Sequence, residues 1–283
     1  MKIVQTPEEM QAFSREVRRS GKRLGFVPTM GALHAGHLSL VKIACAKTDC
    51  VVVSIFVNPL QFGPTEDFSK YPRSFERDCQ LLEAEGVDVV FAPAVEAMYP
   101  AGAKTTVEVA EISSRLDGRS RPGHFKGVAT VVSKLFHIVQ PDLAFFGQKD
   151  AAQVAILRRM VRDLNFDLDI VVGPIVREPD GLAMSSRNAY LDPQQRQRAL
   201  VLHRSLMRIQ FLVDRGEREV PLLIEAGKQV IAEESAAKLD YLEIVDSDTL
   251  ERVTNLSRGA LVAIAAWIGS TRLIDNLVLS PPA

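Results

Sequence analysis

Two hydrophobic periods alternate along the first 176 residues, one suited to helices and one to strands. Pro7 to Ser20 reads as a basic helix, and the apolar run Leu24 to Pro28 as the strand after it. A helical pattern runs from His37 to Thr48. Cys50 to Val57 (CVVVSIFV) is almost continuously β-branched, as expected of a parallel strand covered on both faces. Ser74 to Glu85 is amphipathic and meets Gly86, a C-cap signal, and Val87 to Ala92 is a strand stopped by Pro93. Val128 to Val139 then predicts a helix, Leu143 to Phe146 a strand, Asp150 to Leu164 a helix and Asp169 to Val176 a strand. Such alternation implies right-handed crossovers and an α/β fold, a Rossmann-like doubly wound parallel sheet.

The pattern changes near Val176. Arg177 to Asn188 is loop-like, with Pro179-Asp180-Gly181 as a turn. Pro193 to Arg215 reads as one long helix, with Asp192 as N-cap and Pro193 in its first turn. Val220 to Glu234 is another helix, and Leu239 to Val245, Ala260 to Trp267 and Arg272 to Leu279 are three strands. Helices followed by consecutive strands suggest a smaller C-terminal α+β domain. The boundary falls within Val176 to Arg187, dividing residues 1–176 from 177–283.

Composition narrows the function classes. The 283 residues carry 34 Lys+Arg and 35 Asp+Glu, a net charge of −1, which argues against the strongly basic surface of a nucleic-acid binder. An apolar fraction of 47 % rules out low-complexity disorder. The longest charge-free run, Gly259 to Thr271, falls short of the roughly 20 residues of a membrane span and reads as a buried strand. Met1 to Met10 carries Glu8 and Glu9 and has no apolar core of a secretory signal. Cys45, Cys50 and Cys79 are odd in number and lack C-x-x-C spacing, so all three are expected to be reduced, buried and inert. These are the marks of a cytoplasmic protein.

Four strings carry candidate chemistry. Pro28 to His37 (PTMGALHAGH) follows the first strand and opens a helix, where a helix N-terminus offers N–H groups to a phosphate. Gly31 and Gly36 allow close backbone approach, and His34 and His37 are three apart, so on a helical turn they share a face and can donate to phosphate oxygens. The plain alternative is two loop histidines. Phe146 to Asp150 (FGQKD), with Gln153 beyond it, again follows a strand. Lys149 suits a phosphate, while Asp150 with Gln153 also fits a capping box. Met184 to Asn188 (MSSRN) puts two hydroxyls and a guanidinium in a loop that can close over phosphates. In Phe56 to Phe62, Asn58 and Gln61 can read a small polar substrate, or simply form a turn. Gly123 to Gly127 is either a substrate loop or a surface turn, and Glu66, Asp67 and Asp78 read as solvated carboxylates.

Together with SIFVNPLQF, YPR at Tyr71 to Arg73, RPGHFKGV, KLF, QPD and AAWIGSTRLIDN, these strings closely resemble the pantoate–β-alanine ligase family over the length of the chain. His34 to His37 resembles the H-I-G-H signature of nucleotidyl transferases. Met184 to Arg187 resembles K-M-S-K-S with its lysines replaced, so that Arg187 and Lys149 supply the charge. The resemblance implies a nucleotidyl-transferase type of sheet and an ATP- and Mg²⁺-dependent ligation of (R)-pantoate and β-alanine through an acyl adenylate, usually in a homodimer. It implies an ATP site at Met30, Gly31, Ala32, Leu33, His34, Ala35, Gly36 and His37, at Gly147, Gln148, Lys149 and Asp150, at Val176 near adenine, and at Met184, Ser185, Ser186 and Arg187. Gln61 and Gln153 would bind pantoate, and Gln61 with Asn58 β-alanine. His37 would be the proton donor, with His34, Lys149 and Arg187 as its catalytic companions. The runner-up is a transferase that joins AMP or CMP to a phosphorylated metabolite, which would share the histidine pair but needs a second phosphate site, and the non-enzyme alternative is a nucleotide-binding module. The metal's protein ligands are not identifiable from the sequence.

Overall fold

A computed structural model describes residues 1–64, 66 and 68–281. The chain opens with a strand too short to stand out as a pattern, β1 (Lys2–Val4), and then α1 (Pro7–Arg19). Thr6 caps α1 by accepting the Glu9 N–H, with Pro7 in the first turn. The alternation continues through β2 (Leu24–Thr29), α2 (Ala35–Lys47), β3 (Cys50–Ile55), α3 (Phe75–Ala84) and β4 (Val89–Phe91). Two single-turn helices, α4 (Val95–Met98) and α5 (Asp117–Ser120), precede α6 (His124–Val139), β5 (Leu143–Gly147), α7 (Ala151–Asp163) and β6 (Asp169–Gly173). The six strands are parallel, in the order β1-β4-β3-β2-β5-β6. From β2 the chain runs outward through β3 to β4, then returns to the other side for β5 and β6. The strand order therefore reverses between β2 and β5, and a crevice forms at their carboxyl ends.

The second half holds α8 (Pro193–Arg198), α9 (Leu200–Asp214), α10 (Val220–Ala232) and an antiparallel sheet of β7 (Ala237–Val245), β8 (Ala260–Ile268) and β9 (Thr271–Leu279). The single helix expected over Pro193 to Arg215 is interrupted at Ala199. There the Leu202 N–H turns to the Ala199 carbonyl at 3.3 Å, a 3₁₀ bond, and the ladder restarts. The expected start of α6 at Val128 lies one turn late, because His124 to Gly127 belong to the helix. Among the cysteines only Cys50 is buried; Cys45 is exposed and Cys79 half-buried, and all three are free thiols. No helix among the described residues is long and apolar enough to cross a membrane.

Three apolar clusters fill the fold. One lies under α2 and α3 with Val27, Val53 and Val90, and one on the opposite face of the parallel sheet under α1, α6 and α7. The third joins α9 and α10 to the antiparallel sheet. Strand β8 is buried on both faces, and its period of two divides its side chains. Val262, Ile264 and Ala266 enter the third cluster, whereas Leu261, Ala263 and Ala265 pack with the cluster of the parallel sheet. Ion pairs seal the rim of that junction: Arg119 to Glu243 at 2.7 Å, Arg115 to Glu251 at 2.9 Å, and Arg272 to both Asp117 (2.7 Å) and Asp240 (2.8 Å).

Arg272, Asp117 and Asp240 are mostly shielded, so removing the one cation leaves two carboxylates facing each other out of water. Arg272→Met is expected to cost about 3 kcal/mol, and Arg272→Met with Asp117→Asn and Asp240→Asn to recover most of it, read by urea unfolding. Equal loss in the single and triple variants would show that the charges are not what holds the junction.

Candidate active site

The crevice at the ends of β2 and β5 is lined by Met30, His34, Gly36 and His37, by Gly147, Lys149, Asp150 and Gln153, and by Val176 with Met184 to Arg187. Asn58 and Gln61 line it too, and Val128, Val131, Val132 and Leu135 of α6 supply an apolar wall. Three of the four strings singled out in the sequence thus converge with the Asn58–Gln61 turn on one cleft. Gly31, Ala32, Leu33, Ala35 and Gln148 are not part of its lining. Leu33 is buried in the cluster under α2, and Gln148 turns away to bond Asn276 at 3.1 Å.

The two histidines cap α2 reciprocally. Nδ1 of His34 accepts the Gly36 N–H at 3.1 Å, and Nδ1 of His37 accepts the His34 N–H at 3.4 Å. Those backbone groups, expected to face a phosphate, are already occupied. What the helix start presents is imidazole: each ring uses Nδ1 as an acceptor, so each carries its proton on Nε2. The ring centroids are 4.1 Å apart. Burial, with Lys149 beside it, lowers the His34 pKa to about 4. Burial and the neighbouring His34 lower His37 to about 3. Both rings are neutral at pH 7, so His37 enters the site as a neutral hydrogen-bond donor. Gly36 makes room for this arrangement, since a Cβ there would lie 2.9 Å from Cε1 of His34.

The loop before α2 is held from beneath. Gly31 and Ala32 have φ of 80° and 51°, a left-handed pair that costs an alanine about 1–2 kcal/mol. Asp78 of α3 secures it: one carboxylate oxygen accepts the Ala32 N–H at 2.8 Å, the other the Leu33 N–H at 2.9 Å and the Ser74 hydroxyl at 3.1 Å. Asp78 is fully buried, contrary to the solvated carboxylate expected on an amphipathic helix. Glu66 is not free either, forming a two-pronged pair with Arg121 at 2.7 and 2.6 Å. Asp67 lies outside the described residues.

Gln61 sits on a short 3₁₀ turn, Pro59–Gln61, braced on every side. Asn58 donates to the Gln61 amide oxygen (3.2 Å) and the Gly127 carbonyl (3.1 Å) while accepting from the Tyr99 hydroxyl (2.8 Å) and the Leu60 N–H (3.3 Å). Both Asn58 donors and both its acceptor lone pairs are therefore used. These bonds make Asn58 a positioning residue for Gln61 as well as part of the cleft lining. The Gln61 carbonyl accepts Nδ1–H of His124 at 2.8 Å, and Nε2 of His124 accepts from Arg121 at 3.0 Å. Burial and Arg121 lower His124 to about 4, so this ring too is neutral. Gly127 is required here: a Cβ would fall 2.1 Å from the Leu60 carbonyl oxygen. The Gln61 side-chain NH₂ rests on the Met30 sulfur at 2.8 Å, a weak acceptor that a ligand oxygen readily replaces.

Lys149 lies 3.4 Å from Asp150, the single carboxylate among the described residues lining the cleft. Burial opposes ionisation of Asp150, but Lys149, His37 and Arg187 outweigh it and hold its carboxyl below the usual value. The capping box between Asp150 and Gln153 does not form. Across the cleft, the segment expected as a plain loop is a tied hairpin. Arg177 pairs with Ala183, and the Ser186 hydroxyl donates to the Ala32 carbonyl at 3.2 Å. Sequence reasoning missed Asp78, Arg121 and Asn276, and left His124 between a substrate loop and a surface turn. Arg121, His124 and Asn276 stand inside quoted strings, RPGHFKGV and TRLIDN, whose contacts lie more than fifty residues away.

Comparison with known proteins places this arrangement. The family model described as pantoate–β-alanine ligase matches residues 2–278. A pantothenate synthetase of Koribacter versatilis is 67 % identical over 99 % of this chain and 96 % of its own length, and one of Thermotoga neapolitana is 58 % identical over 99 % and 100 %. A crystal structure of pantothenate synthetase from Thermus thermophilus superposes with a TM-score of 0.94 at 46 % identity, covering 99 % of this chain and 100 % of that one. A pantoate–β-alanine ligase from Francisella tularensis, complexed with β,γ-ATP and β-alanine, gives 0.79 at 34 % identity, covering 98 % and 97 %.

Asp78→Asn replaces one of the two accepting oxygens with an NH₂, so one loop N–H faces another donor. The expected loss is about 1–3 kcal/mol, read by urea unfolding, and an unchanged midpoint would remove Asp78 as the loop's anchor. The histidines make a second prediction. Their folded pKa values of about 4 and about 3 lie below the unfolded 6.5. The unfolded chain therefore takes up protons first, and stability is full above pH 6.5 and falls as pH drops toward 4 and 3. Tm measured from pH 7.5 to 4 should fall less in His34→Asn/His37→Gln than in the parent. Parallel curves would contradict the neutral assignment.

Proposed function

Because the chain belongs to the pantoate–β-alanine ligase family, we propose that the cleft between β2, β5 and the hairpin runs that reaction with the residues gathered there. The reaction is the ATP-dependent ligation of (R)-pantoate and β-alanine to pantothenate, through pantoyl adenylate, with release of pyrophosphate and AMP. One observation supports the residue assignment above the others: two neutral imidazoles with Nε2–H donors sit beside Lys149 and Arg187 at the switch point of the sheet.

A carboxylate is a poor acyl donor because its leaving group would be oxide. Attack of a pantoate carboxylate oxygen on the α-phosphorus of ATP forms the adenylate and breaks the bond to pyrophosphate. Negative charge grows on the α-phosphate and the departing oxygen, and the Nε2–H groups of His34 and His37 with the cations Lys149 and Arg187 oppose it. Neutral donors suit this role, since they need no counter-charge before ATP arrives and strengthen as charge develops. Gln61 and Gln153 would orient pantoate, with Asn58 and His124 fixing Gln61 from behind. The amine of β-alanine then attacks the acyl carbon and AMP leaves. The apolar wall of α6 favours the neutral amine this step requires.

Val176 and Met184 to Arg187 would enclose the nucleotide. The donor set fits Mg²⁺ carried in on the phosphates. Among the described residues no group of three or more His, Cys, Asp or Glu could hold an ion, and Mg²⁺ in nucleotide sites uses one or two carboxylates plus phosphate oxygens. Asp150 is the carboxylate in reach, and the ion would neutralise charge on the phosphates. Residues 1–176 would form the nucleotide domain and 177–283 the smaller one. The family resemblance supports a cytoplasmic homodimer.

ATP–pyrophosphate exchange with labelled pyrophosphate, Mg²⁺ and (R)-pantoate, without β-alanine, tests the assignment. Exchange should depend on pantoate. His37→Ala should lower kcat on the order of 100-fold, with KM for ATP little changed. A tenfold rise in KM with kcat intact would remove His37 from the transition state.

A further inference from the structure

Two consecutive residues of β9, Asp275 and Asn276, reach the two phosphate-facing segments of the cleft from outside it. Neither lines the cleft, and both are buried. Adjacent residues of a strand point to opposite faces, and here each face meets a different segment. Asn276 donates from Nδ2 to the Gln148 and Lys149 carbonyls, both at 2.9 Å, and accepts the Gln148 side-chain N–H at 3.1 Å. Three bonds from one amide thus fix the turn that carries Lys149 and Asp150. Asp275 receives the Arg177 guanidinium on both oxygens, at 2.7 and 2.9 Å. The same guanidinium donates to the Gly181 carbonyl at 3.0 Å, holding the turn of the hairpin that ends in Met184 to Arg187. The Asn276 N–H donates to Asp275 at 2.8 Å, so the two supports are joined.

We propose that Asp275 and Asn276 are positioning residues for adenylate formation, a bracket that sets the Lys149 turn and the Met184–Arg187 hairpin at a fixed spacing across the cleft. The inference rests on the reading of Lys149 and the hairpin as phosphate-facing. Its physical content is orientation. Among the described residues the Lys149 ammonium pairs with the Asp150 carboxylate 3.4 Å away, on the same turn, so its aim is set by the backbone of that turn. A displacement of about 1 Å at such a group costs on the order of 100-fold in rate. The antiparallel sheet thereby takes part in the chemistry through what it holds, without touching substrate.

A double-mutant cycle separates this from a purely structural role. Asn276→Ala, Lys149→Ala and the pair are compared by pantoate-dependent ATP–pyrophosphate exchange, with near-UV circular dichroism as the folding check. Asn276→Ala should lower kcat about 10- to 100-fold and leave KM for pantoate within about twofold. In the Lys149→Ala background the same change should cost less than about threefold. Equal fold-losses in both backgrounds, or kcat within twofold of the parent, would overturn the bracket. Full activity in Lys149→Ala would instead overturn the reading of Lys149, and the bracket with it. If Asn276→Ala does not fold, Asn276→Ser, which keeps one donor for the carbonyls, is carried through the same cycle with the same criteria.

Discussion

The buried carboxylate of Asp78 is the constraint on which the cleft depends. A loop that leaves β2 and enters α2 with two left-handed residues turns backbone N–H groups inward, towards α3. Asp78 takes two of them at once. With the Leu33 N–H turned down onto Asp78, the Ala32 carbonyl of the same peptide faces the other way and receives Ser186 of the hairpin. One side chain of α3 therefore settles where α2 begins, how the two imidazoles cap it, and where the far wall of the cleft meets the near one.

The site carries little free charge before substrate arrives. Three histidines line or brace it, and burial first of all keeps each neutral, helped by Lys149 at His34, by the His34 ring at His37 and by Arg121 at His124. Lys149 and Arg187 lie close enough to Asp150 to help hold its carboxyl below the usual value. In the proposed role a polyanionic nucleotide would meet oriented N–H dipoles and a few cations, and among the described residues the dipoles form no ion pair. Gln61 follows the same logic. Its backbone carbonyl is held by His124 and its amide oxygen by Asn58, while its NH₂ leans on a thioether that competes weakly with any oxygen ligand.

Much of the fold was legible because it rests on local signals. Cys50 to Ile55 announces a doubly covered strand, and the alternation after it leaves few topologies. The strings after β2, after β5 and in the hairpin were legible because chemistry there needs polar residues at strand ends. The remainder depends on tertiary contacts that no local pattern encodes. β1 is three residues long and exists by pairing with β4. Asp78 occupies an ordinary polar position of an amphipathic helix, and only the loop folded over it buries it. Asn58 has the composition of a substrate ligand, but its four hydrogen bonds are met by Tyr99, Gly127, Leu60 and Gln61. The break at Ala199 is invisible because the residues around it favour helix, and packing overrides them.

Strand β8 has consequences for the molecule as a thermodynamic object. Its two faces belong to two different cores, so neither core closes without it. A chain severed in the segment between β6 and α8 would expose the apolar residues of the parallel-sheet half that pack with Leu261, Ala263 and Ala265. The antiparallel sheet would keep α9 and α10 on one face and lose its cover on the other. The two lobes are thus halves of one cooperative unit. Heat should melt them in a single calorimetric peak, and any ligand that stabilises the parallel-sheet half stabilises the antiparallel sheet by the same free energy.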